Sequence, residues 1–143
     1  MLERAGNYAF QHTLHEGSPL QMQWLFYGQS ELPVAIQTWE LPPGGFEGMH
    51  SHGHPNRPLE EIYVVTEGTA QMTVEDEIHQ LAVGDAVLAK AGVRHDLLNT
   101  GKGPLKVLVI WGEPRPVDYS EFGSAKEALM ARTDATPGSS VER

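Results

Sequence analysis

The chain contains no cysteine. Disulfides, thiolate metal ligands and a cysteine nucleophile are therefore excluded. No apolar run approaches the ~20 residues that a membrane-spanning helix needs. The opening residues, MLERAGNYAF, mix acid and base and lack the apolar stretch of a signal peptide. A cytoplasmic location is the expectation. Positive charge is scarce: ten Lys and Arg stand against nineteen Asp and Glu, for a net charge of −9. That balance argues against nucleic acid and against anionic membranes as partners. It leaves small molecules open, since a local basic pocket can sit in an acidic protein. There is also no β-α alternation and no internal repeat.

What is present is a series of short strand-like segments separated by turn residues. Tyr8 to Leu14 reads as a weak first strand, and Leu20 to Tyr27 as an apolar and aromatic second one. Val34 to Leu41 alternates, with Ile36, Thr38 and Glu40 on one face and Ala35, Gln37, Trp39 and Leu41 on the other. Ile62 to Thr66, Thr69 to Val74, Ile78 to Val83, Ala86 to Ala89 and Val93 to Asn99 follow. Leu105 to Trp111 is apolar on both faces. Short strands with turns every 8 to 12 residues predict an all-β sandwich or barrel. Ser124 and Glu127 form a capping-box pattern ahead of Ala128, Leu129 and Met130, which predicts one short helix. From Thr133 onward the chain is small, polar and charged, and a disordered tail is expected. The expected division is residues 1–117 as the β-barrel and 118–143 as the helix and tail.

The chemistry concentrates between Gly44 and Gly68. His50, His52 and His54 stand at alternate positions, and Glu60 and Glu61 follow a short polar loop. Alternate residues of a strand share a face, so a His-x-His pair on a strand aims two imidazoles at one point. A carboxylate opening the next strand can reach that point. Imidazole and carboxylate together suit a divalent transition metal. Periodicity alone does not choose between His50 with His52 and His52 with His54.

Two stretches together resemble the paired motifs of the cupin superfamily. In the first, five residues intervene between Gly44 and His50, one between His50 and His52, and six between Glu61 and Gly68. In the second, Gly84, Gly92, His95 and Asn99 stand at the motif's spacings. The chain departs from the pattern twice. Eight residues separate His52 from Glu61 where the family usually has three or four. His54 to Pro58 reads as the inserted loop, because two prolines and an asparagine oppose a strand. Lys90 replaces the usual proline of the second motif, placing a cation near the barrel mouth.

The resemblance implies a double-stranded β-helix, or jelly-roll barrel, with the short C-terminal helix appended. It implies one divalent metal ion, Fe, Mn, Zn or Ni, held by His50, His52, Glu61 and His95. The position of Gly44, and the strand breakers Gly53 and Pro55 around His54, favour the pair His50 and His52. The implied activity is that of a metal-dependent enzyme acting on a small polar metabolite, by oxygenase, isomerase or lyase chemistry. A non-catalytic small-molecule binder or sensor is the alternative.

Several further residues carry expectations of their own. Tyr63 and Val65 share the face of Glu61 and should line the interior. Tyr63 is either a core residue with a satisfied hydroxyl or a proton donor, with the core reading preferred. Glu60 should point away from the metal, and Arg94 and Asp96 should lie outside. His12 and His15 read as surface positions, with a pocket-rim role only if the first strand folds over the barrel. His79 should be solvated and Asp85 a turn residue. The apolar stretch Leu20 to Tyr27 predicts a homodimer with that strand at or near the interface.

Overall fold

The computed structural model describes residues 1–133. Nine strands precede one helix: β1 Phe10–Thr13, β2 Pro19–Trp24, β3 Ala35–Leu41, β4 Glu60–Glu67, β5 Ala70–Val74, β6 Glu77–Leu81, β7 Ala86–Ala89, β8 His95–Asn99, β9 Leu105–Gly112 and α1 Gly123–Thr133. Six strands form one antiparallel sheet in the order β1-β2-β3-β9-β4-β7, and three form a second in the order β6-β5-β8. This is the double-stranded β-helix that the strand pattern and the motifs lead one to expect. The helix described is not long and apolar enough to cross a membrane.

The alternation along each strand decides which sheet face turns inward. In β4, Glu61, Tyr63 and Val65 are buried while Ile62, Thr66 and Glu67 are exposed. β9 lies between β3 and β4, where it contributes Leu105, Val107 and Val109 to the interior. Met72 and Leu97 join them from the smaller sheet, giving one continuous core. Each such fully buried aliphatic side chain contributes about 1.5–3 kcal/mol.

The differences from the expected elements have local causes. The second strand stops at Trp24, because Phe26 takes a left-handed φ of 54° and turns the chain. Leu20 and Met22 of that strand are 2% and 4% exposed and belong to the core. Its apolar character is thus largely satisfied within the chain, although Tyr27 is exposed. The sixth strand ends at Leu81, where the Asp85 carboxylate accepts the Ala82 N–H at 2.9 Å. The helix starts at Gly123, so Ser124 sits inside its first turn instead of capping it. The expected tail beyond the helix falls on residues 134–143, outside the described residues.

One close approach positions the site. The turn after β1 lies against the segment that leads into His50. The Ser18 N–H donates to the Phe46 carbonyl at 2.9 Å, and the Phe46 N–H donates to the Ser18 hydroxyl at 2.8 Å. A Cβ on Gly17 would stand 2.2 Å from the Glu47 carbonyl oxygen, and one on Gly48 would stand 2.2 Å from the His15 carbonyl oxygen. Only glycines let these two backbones meet. His15 and Glu16 follow each other at left-handed φ values of 45° and 66°, which folds the turn over the barrel.

Candidate metal centre

Glu61 is delivered by β4 and His95 by β8. His50 pairs with His95 through an isolated antiparallel bridge. His52 lies outside any strand, contrary to the expectation that the His-x-His pair rides on one. Gly53, Pro55 and Pro58 end the extended run just beyond it. Its carbonyl accepts the Leu59 N–H at 3.1 Å, which closes the inserted loop. The ligand-capable atoms of His50, His52, Glu61 and His95 all lie within 4.8 Å of one another. Oε1 of Glu61 is their common neighbour, at 2.5 Å from His52 Nε2, 3.2 Å from His95 Nε2 and 3.5 Å from His50 Nε2. His54 stays out of the group: it is exposed, and its Nδ1 accepts the Asn56 N–H at 3.2 Å.

The donor set fits a cation on hydrogen-bond grounds. Nδ1 of His50 meets the Gly48 carbonyl at 2.8 Å, and Nδ1 of His95 meets the Val93 carbonyl at 2.8 Å. A carbonyl only accepts, so both Nδ1 atoms carry a proton, which in each neutral ring leaves the Nε2 lone pair free to meet an ion. Those lone pairs converge on Glu61 Oε1, which is itself an acceptor. His50 Nε2 is buried without a hydrogen-bond partner. Several acceptors aimed at one point leave a place for a positive charge. Three imidazoles and one carboxylate suit a divalent transition ion, and the carbonyls behind the imidazoles hold their orientation.

With no ion bound, burial pushes the Glu61 carboxyl up, but the imidazoles of His50, His52 and His95, acting as N–H donors to it, outweigh that and hold it well below the usual range. Behind it, the Tyr63 hydroxyl is fully buried, 3.1 Å from Glu61 Oε2. The same hydroxyl is 3.0 and 3.1 Å from the two oxygens of Glu47. Burial, then Glu47 and Glu61, raise the Tyr63 phenol well above 10.0.

Two residues at the site had no local signal in the sequence. Glu47 is 1% exposed, and its Oε1 is 3.3 Å from His50 Nε2. Burial first, then Glu61, raises its carboxyl well above 4.5. Simple alternation back from His50 would place it on the outer face. Gly48, at φ +108°, breaks that alternation and turns Glu47 inward. His15 stacks on His50 with ring centroids 3.5 Å apart and planes within 9°. Burial, followed by His50 and His52, lowers it to about 4. It occupies the rim that required the first strand to fold over. A second cluster, His15, Glu47 and His50, shares His50 with the first.

The remaining expectations resolve as follows. Tyr63 is a buried core residue whose hydroxyl is satisfied by the carboxyl groups of Glu47 and Glu61. Asn99 is buried, and its amide donates to the carbonyls of Leu41 and Gly103, so it shapes the turn. Asp96 is half-buried and accepts the Gly48 N–H at 2.8 Å, bracing the approach to His50 where an outside position was expected. Lys90 is exposed, and His79 pairs with Glu77 at 3.3 Å.

A cavity of about 230 Å³ opens beside the cluster. His15, Glu47, His52 and Glu61 contribute to its wall, and most of the rest is aromatic or aliphatic.

Known proteins match this chain in both sequence and shape. The cupin domain profile matches residues 37–111, the stretch from β3 to β9 that contains all four clustered residues. A germin-like protein of Morus alba is 30% identical over 123 residues, covering 78% of this chain and 57% of that protein. The beta-alanine degradation protein BauB of Pseudomonas aeruginosa is 38% identical over 71 residues, covering 46% of this chain and 67% of that protein. The chain thus spans little more than half the length of the germin-like relative. Among solved structures, a predicted oxalate decarboxylase of Thermotoga maritima superposes with a TM-score of 0.67 at 21% identity, covering 80% of this chain and all of that one. A Cupin 2 conserved barrel domain protein of Salinispora arenicola gives 0.63 at 19% identity over 92% of this chain and 98% of that one. These two likenesses concern the fold. With both motifs inside the matched stretch and the barrel in place, the chain belongs to the cupin domain family.

Proposed function

We propose that the protein is a metal-dependent enzyme in which His50, His52, Glu61 and His95 hold one divalent transition ion. The observation that carries this reading is the convergence of the His50 and His95 Nε2 lone pairs on Glu61 Oε1, at the wall of a cavity. When bound, the ion supplies a Lewis acid that polarises a substrate oxygen or lowers the pKa of a water. Four protein ligands leave one or two positions for that oxygen. The Tyr63 hydroxyl holds the outer oxygen of Glu61, His15 covers His50, and the cavity presents a mostly aromatic and aliphatic wall beside them. The enzyme-like names of two similar proteins, BauB and the predicted oxalate decarboxylase, support chemistry over mere binding. Oxygenase, isomerase and lyase reactions share these requirements, and the fold does not choose among them.

The first test is thermal denaturation with Fe(II), Mn(II), Zn(II) or Ni(II) against Mg(II). A ligand at a hundred times its Kd stabilises by about 2.7 kcal/mol. At least one transition ion should raise Tm by several degrees and Mg(II) should not. No shift with any of them would end the proposal. Turnover by the loaded protein separates the enzyme from the binding module.

We also propose a homodimer. Support comes from the outer face of the larger sheet, where Ile62 and Leu88 are paired across strands and 39% and 45% exposed. Light scattering that finds a monomer at micromolar concentration would overturn it.

A further inference from the structure

The chain has three tryptophans, and all of them, Trp24, Trp39 and Trp111, line the cavity beside the metal cluster. They arrive on β2, β3 and β9. Trp24 and Trp111 meet edge to face at 5.6 Å, and Trp39 is packed edge to face on Tyr63 at 5.7 Å. Phe10 from β1 adds a further aromatic wall. Polar groups enter at the cluster, with one exception. Gln37 is 2% exposed and lines the same cavity. Its Oε1 accepts the Trp39 Nε1–H at 2.9 Å, while its amide NH2 has no acceptor among the described residues.

These features define a ligand by its chemistry. Indole and phenyl walls gain most from contact with a flat ring, and the one polar group an indole offers is its N–H. A sugar or a short dicarboxylate would leave most of its own polar atoms unpartnered against them. The Gln37 NH2, unused by the described residues at the wall of this cavity, can donate to an oxygen on the ligand. The cluster calls for an oxygen-bearing head. The volume holds about a dozen non-hydrogen atoms.

We infer that the site takes a small aryl acid, with its carboxylate at the His52 and Glu61 end, its ring between the tryptophans and a ring oxygen on the Gln37 amide. This departs from the polar metabolite expected from the sequence. It rests on the proposed metal only for the carboxylate; the ring and the Gln37 contact need no ion.

The test is a titration followed by indole emission, since every tryptophan reports on this cavity. The probes are 3-(4-hydroxyphenyl)propionate, 3-phenylpropionate, propionate and oxalate, each added to chelator-treated and to zinc-loaded protein. Both aryl acids should bind at least about tenfold more tightly than propionate in both forms, because only they bury a ring. Gln37→Leu should abolish the preference for the hydroxylated ring, while 3-phenylpropionate keeps its advantage over propionate. Oxalate or propionate binding as tightly as the aryl acids would overturn the inference. So would the absence of any aryl binding up to about 10 mM. If the protein takes up no metal yet keeps the aryl preference, the metal reading fails and this one stands. If it loads zinc without that preference, the reverse holds.

Discussion

His50 and His95 exchange both backbone hydrogen bonds across a single bridge, at 3.1 and 2.9 Å, which brings their rings to 4.1 Å. The geometry of the site therefore depends on the backbone that leads into His50. That backbone passes Gly48 beneath the 15–17 turn. Gly48→Ala combines a disfavoured φ with a Cβ placed 2.2 Å from a carbonyl oxygen. We expect a loss of about 3 kcal/mol or more, from strain and overpacking together. Gly44 has a similar φ of +74° but open space around it. Gly44→Ala should cost only about 1 kcal/mol, the conformational part alone. Chemical denaturation of both variants checks this, and equal losses would contradict the packing account.

Tyr63 holds Glu61 in place from behind. Tyr63→Phe removes the hydroxyl that engages Glu61 Oε2 at 3.1 Å and leaves two buried carboxyl groups without the hydroxyl they share. Loss of such a supporting partner weakens a metal site by about 10- to 100-fold. Competition against a chelator should show that loss of affinity, with far-UV circular dichroism unchanged. Unchanged affinity would assign Tyr63 to the core alone.

The pH dependence of the metal-free protein should reveal Glu47. Its folded pKa lies well above the ordinary 4.5, so the folded protein holds that proton more firmly than the unfolded chain. Stability from this group is full below 4.5 and declines as pH rises toward the folded value. Glu61 acts in the opposite sense: its folded pKa is depressed, and its contribution is lost as pH falls below 4.5. Glu47→Gln removes only the first effect. In chelator, its Tm advantage over the parent should be small near pH 4.5 and grow as pH rises above it. A difference that is flat with pH would contradict the buried, proton-retaining carboxyl.

The barrel, Glu61 and His95 were legible in the sequence because each rests on short-range order. Alternation along β4 aims Glu61, Tyr63 and Val65 inward, and the spacing of Gly84, Gly92, His95 and Asn99 marks the second motif. The His-x-His alternation predicts a strand at His52, but the breakers just beyond it leave it in irregular backbone held by the Leu59 bond. Glu47 was hidden because one positive φ at Gly48 reverses the alternation. His15 was hidden because its stacking on His50 comes from packing between distant segments, which no local pattern records. Gln37 was assigned to the right face of β3, yet its free amide is visible only once Trp39 takes up its oxygen.

The most direct measurement is the metal content per chain of protein purified without oxygen, for the parent and for single alanine variants of His50, His52 and His54. The parent and His54→Ala should each carry about one transition ion, since a single four-ligand site is proposed. His50→Ala and His52→Ala should carry almost none. A parent that binds no transition ion when one is supplied would contradict the account, as would loss of metal on His54→Ala with retention on His50→Ala.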